Sequence, residues 1–205
     1  MSPTVKELAK LNKLHYLSAS GKKGKARKKA LKMGYESETL KRGVASWKHS
    51  DGHTVVTVKG TDPTNIKDLA SDAKLAIGNL GGDTQLKSRR HEIKKIYTKN
   101  PDSDKYLTGH SLGGSISSSI LAKSKSIRDN TKEAHLFNSG HTKAFNKELG
   151  DGMDSKVKKE LRDKVTQHHV KGDLISQAII HGSAVGTVQV HDSKGPAHSI
   201  DNFTG

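Results

Sequence analysis

From Val44 onward the chain alternates between two hydrophobic periods. VASWKHS and HTVVTVK read as strands around Asp51-Gly52, because glycine accepts the positive φ of a tight hairpin turn. The second strand ends at Lys59-Gly60-Thr61-Asp62-Pro63. A helix is predicted from Asn65, with Ile66, Leu69, Ala73, Ala76 and Leu80 on one face and a stop at Gly81-Gly82-Asp83. Another is predicted over 84–98, with Leu86, Ile93, Ile96 and Tyr97 facing inward. KYLTG is a short strand, GHSLGG a turn, and a small-residue helix runs on to Lys123. AHLFNSG and KVTQHHV read as strands, the latter closed by Lys171-Gly172-Asp173, with a charged, partly helical stretch at 143–163 between them. TVQVH is a last strand, followed by a Gly-Pro loop that carries His198. This alternation predicts an α/β fold of the α/β-hydrolase type, with a mainly parallel central sheet and helices on both faces.

Residues before this pattern behave differently. Val5, Leu8, Leu11, Leu14 and Leu17 recur at three-residue spacing and predict a short helix over 4–19. GKKGKARKKALK is a charge run, read either as a solvated linker or as a binding arm. Residues 1–43 are therefore expected to be a basic, partly helical N-terminal arm, and residues 44–205 the catalytic-type domain.

Composition narrows the chemistry. The 205 residues include no cysteine, which removes disulfides, thiolate metal sites and cysteine nucleophiles. No apolar run approaches the roughly 18 residues that span a bilayer, and MSPTVKELAKLNKLHYL lacks the apolar core of a signal peptide. The expected setting is cytoplasmic synthesis, with membrane association or packaging in a virion left open. The net charge is +15, of which residues 1–50 supply +10. That asymmetry points to an anionic partner: a phospholipid surface, an acidic protein, or nucleic acid held non-specifically through residues 1–43.

Gly109-His110-Ser111-Leu112-Gly113 matches G-x-S-x-G between a predicted strand and a predicted helix. That context suits a nucleophile held on a sharp strand-to-helix turn, with small residues on either side allowing strand and helix to approach. The helix start then offers an N–H, here that of Leu112, to a developing oxyanion. With VVTVKGTD at 55–62, YLTGHSLGG at 106–114, LFNSG at 136–140, GDLIS at 172–176 and HSIDNF at 198–203, the chain resembles the class 3 lipase family, the fungal triacylglycerol-lipase-like branch of the α/β-hydrolases. The resemblance covers about residues 44–203. One departure is Val58-Lys59, where that family more often has Phe-Arg before its Gly-Thr pair.

A serine needs a base, and the base an orienting acid, in the chain order Ser, Asp or Glu, His for this fold. Asp173 follows a strand and a glycine, so it is expected at a strand's carboxyl end, and the resemblance points to the same residue. Asp154, Asp163 and Asp192 are less well placed. His198, in a loop after the last strand, is the expected base and also matches the family's closing segment, with His191 as runner-up. His168 and His169 read as a surface or core pair rather than metal ligands, and His110 as packing near the turn. The loop at Gly60-Thr61-Asp62 is expected to supply a second oxyanion donor, by resemblance Thr61. No metal or organic cofactor is implied.

The expected function is hydrolysis of carboxylic esters of lipids, glyceride or phospholipid, by a serine esterase or lipase working through an acyl-serine. The alternative is a basic nucleic-acid- or membrane-binding structural protein built on an inactive hydrolase scaffold.

Overall fold

The computed structural model describes residues 2–60, 84–141, 143–176 and 183–205. Among these, seven strands form one sheet: β1 Tyr35–Leu40, β2 Val44–His49, β3 Thr54–Val58, β4 Lys105–His110, β5 Glu133–Phe137, β6 Val165–Val170 and β7 Thr187–His191. The strands lie side by side in chain order. β1, β2 and β3 pair antiparallel, and β3 through β7 pair parallel. The helices are α1 Val5–Ala19, α2 Lys23–Leu31, α3 Thr84–Lys99, α4 Leu112–Lys123, α5 Lys125–Asn130, α6 Lys143–Gly150 and α7 Ser155–Lys164, with a closing 3-10 turn at Ile200–Phe203. The helix expected from Asn65 lies outside the described residues.

Strand order has a physical consequence. Right-handed crossovers that always step in the same direction place their helices on one face of the sheet. One core cluster fits this: Ile93 and Tyr97 of α3, Ile116 and Ile120 of α4, and Leu161 of α7 pack with Val56, Leu107 and Leu136 of the sheet. The other face needs a separate cover, and α1, α2 and the closing turn supply it. Leu8 and Leu11 of α1, Ala26 and Ala30 of α2, and Phe203 pack with Trp47, Val55, Tyr106 and Phe137.

The expected division at residue 43 therefore does not describe the structure. Residues 5–40 are built into the layered body: α1 lies on the sheet, and β1 is its edge strand. α1 starts at a capping box, in which the Thr4 hydroxyl accepts the Glu7 N–H while the Glu7 carboxylate accepts the Thr4 N–H. Two polar side chains on its inner face are matched to the sheet: Asn12 donates to the Thr108 hydroxyl at 2.7 Å, and His15 Nδ1 meets the Thr57 hydroxyl at 3.0 Å. In α2 only Ala26 and Ala30 are buried, so the lysine-rich run is a helix laid on two small side chains with its cations outward.

Candidate active site

β4 ends at His110 and α4 begins at Leu112, so Ser111 stands alone between them. Its backbone is forced to φ 58°, ψ −129°, a conformation that costs a non-glycine residue about 1–3 kcal/mol. Hydrogen bonds hold the bend: Ser111 N–H donates to the Phe137 carbonyl at 3.0 Å, and the N–H of Gly114 donates to the Ser111 carbonyl at 2.9 Å. The flanking glycines are required sterically. A Cβ on Gly109 would stand 2.6 Å from the Gly113 carbonyl oxygen, and one on Gly113 would stand 2.1 Å from that of Val58.

Three side chains from three loops meet here. The Ser111 hydroxyl lies 2.9 Å from His198 Nε2, and His198 Nδ1 lies 2.9 Å from Asp173 Oδ2. An ionised carboxylate only accepts, so Nδ1 carries the ring hydrogen and Nε2 turns its lone pair to the serine. Burial pushes the Asp173 carboxyl up. Hydrogen bonds from His198, the Ser176 hydroxyl and the Ile175 N–H outweigh burial and hold it below the ordinary carboxylate range. The Ser176 hydroxyl donates to Asp173 Oδ2 at 2.6 Å, so it accepts from His169 Nδ1 at 2.5 Å. Both Ser111 and His198 are buried, at 2% and 8% exposure.

Asn138, at φ 43° just after β5, ties two of these loops together. Its amide donates to the Ala197 carbonyl at 2.9 Å, beside His198, while its oxygen accepts the Val170 N–H at 3.0 Å at the end of β6. On the other side of the bend, the Tyr16 hydroxyl of α1 accepts the Gly60 N–H at 3.2 Å and meets His110 Nδ1 at 3.2 Å. Gly60 presses on the elbow, and a Cβ there would stand 2.6 Å from the His110 carbonyl oxygen.

The structure thus brings together Ser111, Asp173 and His198. Leu112 opens α4, so its N–H is one that no carbonyl within the helix reaches. Thr61 lies outside the described residues. His191 is placed elsewhere: its Nε2 meets His168 Nδ1 at 3.0 Å, and His168 Nε2 meets His135 Nδ1 at 2.9 Å, in a row across β5, β6 and β7. A base at His191 is therefore set aside in favour of His198. Asp154 caps α7 and Asp192 pairs with Lys171. His168 and His169 are both buried, one in the histidine row and the other behind Ser176. Sequence reasoning missed Ser176, Asn138 and Tyr16. Ser176 three residues after Asp173 was a readable signal, Asn138 showed only the tolerance of asparagine for positive φ, and Tyr16 gave none.

Fold and site together define a hydrolase of the α/β-hydrolase type acting on esters. The chain belongs to the phospholipase-like family of the Tle-like phospholipase domain, whose model matches residues 23–199. At this level it is a lipase-like hydrolase of lipid esters. The match starts inside the segment that composition had separated as an arm. No curated protein matches the chain. Among solved structures, a predicted CIB-like hydrolase from Thermoplasma acidophilum is 12% identical with a TM-score of 0.48, over 83% of this chain and 93% of that one. Lip2 lipase from Yarrowia lipolytica is 14% identical with a TM-score of 0.48, over 82% and 69%. A mutant of MDLA from Penicillium cyclopium is 11% identical with a TM-score of 0.47, over 91% and 79%.

Proposed function

We propose that the protein is a serine phospholipase or lipase in which Ser111 is the nucleophile, His198 the general base and acid, and Asp173 the orienting carboxylate. The supporting observation is the unbroken series Ser111 Oγ, His198 Nε2 and Nδ1, Asp173 Oδ2, with 2.9 Å at each junction. His198 takes the Ser111 proton as Oγ attacks the ester carbonyl. The donors to the tetrahedral oxyanion are assigned to the Leu112 N–H and, by the family resemblance alone, to Thr61. Collapse breaks the ester C–O bond, the alcohol leaves with the proton from His198, and the acyl group stays on Oγ. Water then attacks the acyl-serine with His198 again as base. Asp173 stabilises the imidazolium in both halves, and one oxyanion donor is worth about 10²–10³ in kcat.

The proposed substrate surface is anionic phospholipid. The support is electrostatic: a net charge of +15, and an α2 whose N-cap Lys22 and whose Lys23, Lys25, Arg27, Lys28 and Lys29 are all exposed. Glyceride is the competing substrate. An inactive scaffold is not favoured, because Ser111, His198 and Asp173 sit in hydrogen-bonding register.

The test is labelling with a fluorophosphonate probe and peptide mapping, followed by a panel of phospholipid and glyceride vesicles. The label is expected on Ser111 and absent from Ser111→Ala, which also loses more than about 10³ in rate. Turnover on anionic vesicles is expected to fall with salt. Full activity in Ser111→Ala would overturn the nucleophile, and preference for neutral glyceride at every salt concentration would overturn the surface.

A further inference from the structure

The β2–β3 hairpin turns at the edge of the sheet opposite the active site. Thr54 of β3 is level with Lys105 at the start of β4, whereas Ser111 follows the end of β4. Three potential metal donors sit at this turn in alternation: His49 at the end of β2, Asp51 in the turn and His53 just before β3. The two imidazole rings stack with centroids 4.7 Å apart and planes 14° apart. Each presents Nδ1 to the same carboxylate oxygen, Asp51 Oδ1, at 3.0 Å from His49 and 2.5 Å from His53. One donor atom from each residue lies within 4.8 Å of the others.

His53 is 6% exposed, and its Nδ1 is met by Asp51 Oδ1 at 2.5 Å without hydrogen-bond alignment. Its other nitrogen, Nε2, is engaged by the buried Tyr35 hydroxyl at 3.0 Å. Tyr35 also packs on the His49 ring at 4.6 Å, so one phenol fixes the positions of both imidazoles. The Asp51 backbone N–H donates to His49 Nδ1 at 3.3 Å, a bond that a metal ion at that nitrogen would displace. Asp51 Oδ1 accepts the His53 backbone N–H at 3.2 Å.

Two imidazole nitrogens and a carboxylate oxygen within 4.8 Å of one another are the donor set of a three-ligand zinc site, and the near-parallel rings would have to tilt toward the ion for their in-plane lone pairs to meet on it. A tetrahedral ion with bonds of about 2.0–2.2 Å sets its ligand atoms about 3.4 Å apart. The two short pairs here would have to open by no more than about 1 Å to match. A ligating histidine usually gives its second ring nitrogen to a neighbour that fixes its orientation, as Tyr35 does for His53. Asp51 is exposed and His49 half-buried, so the cluster lies at the surface of the hairpin.

We propose that His49, Asp51 and His53 bind a divalent transition-metal ion of the zinc class, as a staple of the hairpin remote from the catalytic serine.

The experiment uses the full chain, stripped with chelator and titrated with zinc by calorimetry, with thermal unfolding followed in parallel. One ion per chain is expected, with a Tm gain of about 5 °C or more at zinc well above Kd. His49→Gln and Asp51→Asn are each expected to weaken binding by about tenfold or more and to abolish the Tm gain. Both should keep the fold and the metal-free ester hydrolysis of the parent. His191→Gln tests the histidine row and is expected to bind as the parent does. Absence of binding up to about 0.1 mM zinc, parent-like affinity in His49→Gln or Asp51→Asn, or loss of the site in His191→Gln would each overturn the proposal.

Discussion

The ring of His110 donates from Nε2 to the backbone carbonyl of His198, at 2.8 Å. A carbonyl only accepts, so the hydrogen is on Nε2, and Nδ1 accepts from the Tyr16 hydroxyl. Burial pushes the His110 pKa down to about 3, so the ring is neutral at working pH. The residue before the nucleophile therefore fixes the height of the base above it, although it touches no substrate in the mechanism. His110→Ala is expected to lower kcat by about 10²-fold, the scale of a 1 Å misplacement, with KM little changed. Steady-state kinetics on a soluble ester checks this, and a change confined to KM would show that His110 acts on binding instead.

Acid should destabilise the fold well before the carboxylates titrate. Desolvation lowers His15 and His141 to about 4, and His110 and His168 to about 3. The unfolded chain takes up these protons near pH 6.5 and the folded one does not, so acid favours unfolding. Stability is fully present above pH 6.5 and is lost as pH falls toward 4, at about 1.4 kcal/mol per pH unit for each group. Tm is expected to be flat above pH 7 and to drop steeply below 6. His141→Gln, which retains groups able to meet Asn146 and Ser118, should remove about one proton from that slope. Denaturant melts at several pH values measure it, and an unchanged slope would exclude His141 as a contributor.

Gly113 is held by backbone, not by a movable side chain. Its added methyl would meet the Val58 carbonyl at 2.1 Å. Gly113→Ala is expected to destabilise by at least about 2–3 kcal/mol, because strand and helix must part. Urea unfolding reads this directly. A parent-like midpoint would mean that β3 and α4 are not in the contact described.

Removing residues 1–31 is expected to unfold or aggregate the protein, not to trim it. The deletion uncovers the face formed by Trp47, Val55, Tyr106 and Phe137 and leaves Thr108 and Thr57 without Asn12 and His15. A soluble, cooperatively melting product would show that α1 and α2 are dispensable after all.

The sequence made the strand–turn–helix order from Val44 legible because those strands are apolar runs and the turns carry glycine. Ser111 was readable for the same reason: its motif is local. β1 was not legible, since YESETL puts glutamate where an inner strand would have valine; on an edge strand, charge is an advantage because it discourages further pairing. α2 was hidden by its lysines, because only Ala26 and Ala30 report its contact with the body. The pairings Asn12 with Thr108 and Tyr16 with His110 join residues about ninety positions apart, and neither partner carries a local mark of the other.

Open α/β sheets usually gain a ligand crevice where strand order reverses and neighbouring connections part to opposite faces. Here the seven strands run in unbroken succession. Ser111 is therefore served by connecting segments, from which Asp173 and His198 reach it, and exchanging those segments is expected to alter the site while every strand keeps its register.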